Sequence, residues 1–80
     1  AVEIGTVLES VGTVIHDRTN ATSRIALPGL RFTEADEFEL APGGMILVLL
    51  DTGELARYEN VGSETATVAA EAIEAGTHQL

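Results

Sequence analysis

The residues best placed to do chemistry are Asp51-Thr52-Gly53, which follow the apolar run MILVLL at 45–50. A strand ending in Asp-Thr-Gly can carry a carboxylate to a dimer axis, where two acids share a proton and activate water against a peptide bond. Such a dyad must be tight and dry, so the residue after the glycine should be small. Here it is Glu54, a third carboxylate, and no apolar-apolar-Gly segment follows to buttress an active loop. The same letters spell a β-hairpin, in which Asp opens a type I turn and Gly takes the left-handed position before a returning strand. The hairpin is the reading these residues support.

The other candidate groups are weaker. TEADEFE (33–39) gathers Glu34, Asp36, Glu37 and Glu39, and a hard cation takes six to eight such oxygens, but the spacing fits no known loop. A solvated acidic turn is expected. His16 and His78 stand far apart without a spaced partner for a metal or a triad, so both read as surface histidines. Gly43-Gly44 precedes a strand and lacks the lysine of a phosphate loop. Asn20-Ala21-Thr22 is a glycosylation sequon in a polar loop. With no cysteine there is neither disulfide nor thiolate site. No catalytic residue, metal ligand or cofactor site is nominated.

Charge is the loudest compositional signal. Thirteen acids oppose four basic residues, all arginine, for a formal net charge of −9. Such a surface repels nucleic acid and anionic membranes. The N-terminal AVEIG lacks the parts of a signal peptide, and no apolar stretch approaches the ~20 residues of a membrane span. Many acids, no lysine and abundant Ala and Thr resemble the composition of proteins from salt-loving archaea. In molar salt the Debye length falls to about 3 Å, which screens the self-repulsion.

The elements that position these groups alternate with period two. VEIGTVLE (2–9) puts Val2, Ile4, Thr6 and Leu8 on one face, and VGTVIH (11–16) follows after a bend or bulge near Ser10-Val11-Gly12. DRTNATS (17–23) is a loop, SRIAL (23–27) a short strand closed by Pro28-Gly29, and LRFT (30–33) a strand with Leu30 and Phe32 inward. EFEL (37–40) ends at the breaker APGG (41–44). MILVLL is apolar on both faces and should be a central strand or one covered by a partner. LARYEN (55–60) alternates again, with Ala56, Tyr58 and Asn60 on one face. The Ala-rich tail from 64 suits a helix capped by Ser63 or Thr65 and closed by Gly76, yet Ala66, Val68, Ala70 and Ala72 alternate as in a strand. Strand is expected, with a short C-terminal helix as the alternative. The fold class is all-β, one domain over 1–80, a small antiparallel β-sandwich or barrel.

Phe32-Thr33-Glu34-Ala35-Asp36, then Gly43-Gly44, Asn60-Val61-Gly62-Ser63 and the alternating Thr65 to Val68, resemble small β-sandwich proteins of tailed-virus particles. DTGELARYE adds a hairpin where those proteins often turn directly. The resemblance implies a head-decorating or other accessory virion subunit, oligomeric and clamped to a capsid.

The expectation is a non-enzymatic assembly protein that binds itself and a major capsid or other structural protein, located in the virion of a virus of a halophilic archaeon. Val2, Ile4, Met45, Leu47, Leu49 and Tyr58 are the expected interface residues. Either Leu47 and Leu49, or Ile46, Val48 and Leu50, would face the neighbour, with the N-terminal segment pairing along an edge. The alternative is a small soluble β-barrel binding module in the cytoplasm of a high-salt archaeon.

Overall fold

The computed structural model describes residues 2–74. The strands are β1 (Glu3–Asp17), β2 (Thr22–Ile25), β3 (Arg31–Thr33), β4 (Asp36–Leu50), β5 (Leu55–Glu59) and β6 (Ala66–Ala69), followed by a short helix, α1 (Ala70–Glu74). All pair antiparallel in one sheet with β1 and β4 at its centre. The sheet is open and does not close into a barrel.

Each central strand has two halves. Residues 3–11 of β1 pair with β3 and with 45–50 of β4, which pair in turn with β5. Residues 13–17 of β1 pair with β2 and with 36–40 of β4, which pair with β6. Between the halves the register slips at Val11/Thr13, at the bulge the sequence suggested.

The segment Ala41-Pro42-Gly43-Gly44 does not end a strand as expected. It lies inside β4 and bends it. Gly43 takes φ +80° and Gly12, across from it, +57°, which glycine adopts without steric cost. A Cβ on Gly44 would stand 2.8 Å from the Ala41 oxygen and 2.9 Å from the Gly12 oxygen, so the backbones approach too closely for any side chain. The Gly43 N–H donates to Asn60 O (2.9 Å) and the Asn60 N–H to Gly44 O (2.8 Å), which keeps the bulged backbone paired.

The bend turns the two inner faces on each other, as in a sandwich. Ile4, Val7, Phe32, Ile46, Val48 and Leu50 come from one half, and Ile15, Phe38 and Leu40 from the other. Phe32 meets Phe38 edge-on at 5.1 Å between ring centroids, the geometry aromatic quadrupoles favour. The tail takes both of its candidate conformations: β6, then α1, whose Ala70 and Ile73 enter the core. Gly76 and His78 lie outside the described residues.

The first strand departs from simple alternation. Ile4 and Val7 both face the core, so the expected grouping of Ile4 with Thr6 and Leu8 does not hold. The cause is a register irregularity between Glu3 and Gly5, where the Phe32 ring fills the place of a Gly5 side chain; a Cβ there would lie 2.6 Å from Phe32 Cζ. A second irregularity, between Val7 and Glu9, leaves Leu8 as the extra residue.

Candidate interaction surface

The same run that fills the core also builds an outer apolar stripe. Alternation along β4 sends Ile46, Val48 and Leu50 inward, leaving half-buried Met45 and Leu47 and partly exposed Leu49 on the outer face. The sheet register sets their neighbours. Leu49 lies between Thr6 and Leu55, Leu47 between Glu9 and Arg57, and Met45 between Val11 and Glu59. Val11 is 58% exposed and Leu55 56%. Of the two alternatives for MILVLL, the set facing outward is the one containing Leu47 and Leu49.

The remaining expected interface residues go elsewhere. Ile4 is 7% exposed and belongs to the core, and Tyr58 packs against that core opposite Ile46, so both point away from the outer stripe. Burial pushes the Tyr58 phenol above its ordinary range. Val2 is 67% exposed, and its carbonyl accepts the Glu34 N–H at 3.2 Å, beside the edge formed by β3.

Asp51 is accounted for by a different partner. The Arg31 guanidinium grips both of its oxygens at 2.8 Å, and also reaches Glu3 Oε1 (3.1 Å) and Thr6 Oγ1 (2.9 Å). Hydrogen bonds from Arg31 hold the Asp51 carboxyl below the usual carboxylate range and push the guanidinium still higher. A carboxylate so neutralised, at an exposed tip where Gly53 takes φ +97°, ties the β4–β5 hairpin to β1 and β3. The hairpin reading of Asp-Thr-Gly agrees with this geometry.

The acidic turn is not uniformly solvated. Asp36 is 1% exposed and accepts the Thr33 N–H through Oδ2 at 2.8 Å, while the Thr33 hydroxyl accepts the Ala35 N–H at 3.2 Å. Its Oδ1 is buried without a partner among the described residues. Glu37 lies near Arg18 (3.9 Å) and Glu39 near His16 (3.3 Å). Among the described residues no three acidic or histidine side chains converge as metal ligands.

His16 has partners that its sequence position hid. Its Nδ1 lies 2.7 Å from Ser23 Oγ and its Nε2 3.3 Å from Glu39 Oε1. Register sets Ser23 directly opposite His16, while Glu39, opposite Val14, reaches the ring diagonally on the same face. Serine, imidazole and carboxylate are the ingredients of acyl transfer, but here they span an open, water-exposed sheet face. Asn20, in the β1–β2 turn, donates its Nδ2 to Asp17 Oδ2 at 3.1 Å.

Beside that row lies an open apolar groove of about 340 Å³, lined by Ser10, Val14, Ile25, Ala26, Leu27 and Pro28. Ile25 and Leu27 are exposed, and the Ser10 hydroxyl donates to the Ala26 carbonyl at its floor. Among the described residues no helix is long and apolar enough to cross a membrane. No family model, characterised protein or solved structure matches the chain.

Proposed function

We propose that this chain is a non-catalytic assembly module: a self-associating, acidic accessory subunit of the capsid-decorating kind, in a virus of a salt-loving archaeon. The observation that carries the reading is the outer stripe Met45, Leu47 and Leu49, flanked by Val11 and Leu55 on a sheet face without a covering layer of its own among the described residues. A contiguous apolar patch on a small acidic domain marks a protein contact. The Lys-free composition supports the high-salt setting, and the resemblance of residues 32–68 to small virion β-sandwich proteins supports the particle.

Sedimentation velocity in molar KCl tests the assembly reading. The wild-type chain should sediment as a discrete oligomer and Leu47→Asp as a monomer of unchanged circular dichroism. A wild-type monomer at all concentrations would sink it. Mass spectrometry of purified particles tests the location, and absence of the chain from them removes the virion part.

A second reading, a cellular binding module for a small apolar ligand, is favoured by the groove at Val14, Ile25 and Leu27, whose volume lies at the lower end of ligand sites. Titration with a hydrophobic fluorophore separates the two. A signal lost in Ile25→Asp but kept in Leu47→Asp belongs to the groove.

A further inference from the structure

We propose that the outer face takes a second copy of this chain, stacked face to face about a two-fold axis that runs along β4 between the two sheets. This rests on the assembly reading above and adds the partner's identity and its orientation.

The register carries the argument. Across the outer face, Glu9, Leu47 and Arg57 form one row; Thr6, Leu49 and Leu55 form the next, and Val11, Met45 and Glu59 the one on the other side. The middle column is apolar, with an acid on the β1 side of Leu47 and a base on its β5 side. Two sheets can stack on this face with a two-fold axis lying either along β4 or across it. The axis along β4 lays each copy's β5 over the partner copy's β1. Arg57 then faces the partner copy's Glu9, Glu9 faces the partner copy's Arg57, and Leu47 meets Leu47. An axis across the strands through the Leu47 row sets Glu9 against Glu9 and Arg57 against Arg57, two like-charge contacts that oppose binding. An axis across the strands midway between the Leu47 and Met45 rows pairs Arg57 with the partner copy's Glu59 but leaves Glu9 against Val11, so the axis along β4 is the one that gives both charges of the Leu47 row an opposite partner. The twist of stacked sheets leaves β4 within roughly 30° of its partner.

The side chains suit these roles. Among the described residues Glu9 has no ion-pair partner in its own chain. Arg57 holds Glu59 at 3.2 Å through one nitrogen, and a guanidinium has five N–H donors, enough for a second carboxylate. Each copy carries a formal charge of −9, so long-range repulsion opposes pairing at low salt. Molar salt screens that repulsion, while the contact pairs and the apolar column are affected less. Association should therefore strengthen as salt rises.

Sedimentation equilibrium in molar KCl, on wild type, Glu9→Arg, Arg57→Glu, the double variant and Leu47→Asp, tests the proposal. Glu9→Arg makes the chain less acidic, so if net charge alone governed association it would bind itself more tightly. The proposed pairing gives the opposite: each single variant loses about tenfold or more in association constant, and the double variant returns to within about threefold of wild type. Both charged positions are exposed, and circular dichroism confirms that the variants fold. If Leu47→Asp is monomeric but the charge swap does not restore binding, the face is right and this arrangement is wrong. If Leu47→Asp associates like wild type, the assembly reading falls with it.

Discussion

Gly44→Ala measures how much of this fold depends on one close approach. The added Cβ would stand 2.8 Å from Ala41 O, 2.9 Å from Gly12 O and 3.0 Å from Val11 O. Carbon and oxygen rest at about 3.3–3.6 Å, so each contact is short by roughly half an ångström. All three atoms are backbone, and no rotamer change can absorb the clash; β1 and β4 must part at the bulge. Overpacking of this kind costs about 1–3 kcal/mol, and the upper end applies where nothing flexible yields. A chain of 80 residues at ~0.05–0.15 kcal/mol per residue has about 4–12 kcal/mol in total. The variant should therefore lose a quarter or more of its stability and melt about 10–20 °C lower. Gly29→Ala is the control, since Gly29 has φ +91° but open space where the Cβ would go. It carries conformational strain alone, about 1–2 kcal/mol. Thermal and urea unfolding by circular dichroism in molar KCl compares the two. If Gly44→Ala is no less stable than Gly29→Ala, the close approach does not hold the bend.

Two further perturbations test the polar ties. The folded state holds the Asp51 carboxyl below its ordinary 3.8, first through hydrogen bonds from Arg31, so its contribution is present above that pH and is lost as pH falls through the lower folded value. Asp51→Asn should flatten the acid limb of the melting curve as pH falls below 3.8, and superimposable limbs would remove Arg31–Asp51 as a stabilising pair. Asn60→Asp should cost about 2–4 kcal/mol. Asn60 Nδ2 donates to Leu40 O (3.0 Å) and Glu64 O (2.7 Å), and the substitution sets a carboxylate oxygen against those two carbonyls. A loss below about 0.5 kcal/mol in urea unfolding would mean that water replaces both bonds.

Local chemistry made most of the fold legible. Strict alternation in EFEL and LARYE located β4 and β5, the Asp-Thr-Gly turn located their hairpin, and the Ser10-Val11-Gly12 bend fell at the observed slip. What stayed hidden depended on partners remote in sequence. Proline and two glycines read as the end of a strand at 41–44, because nothing nearby says that Asn60 will pair with both glycines and carry the ladder through. The tail was ambiguous for a different reason. Alternation and alanine content each described half of it, and the chain changes from strand to helix between Ala69 and Ala70.

The candidate surface divides along the same line. That MILVLL needed cover on two faces was plain from its letters, since every residue is apolar and a strand shows side chains to both sides. Which three residues face outward was not, because each bulge in β1 shifts which of its neighbours lie beside them. Ile4 moved into the core for that reason, and Glu9 came level with Leu47 only because Leu8 is the extra residue at the Val7/Glu9 slip. Without that slip the row would not carry an acid on one side of Leu47 and a base on the other. The charge pattern that selects one stacking over its alternative is thus a product of the bulge. Deleting Leu8 closes the bulge yet leaves Val7 opposite Val48 and Glu9 opposite Leu47, so self-association should survive the deletion in sedimentation equilibrium.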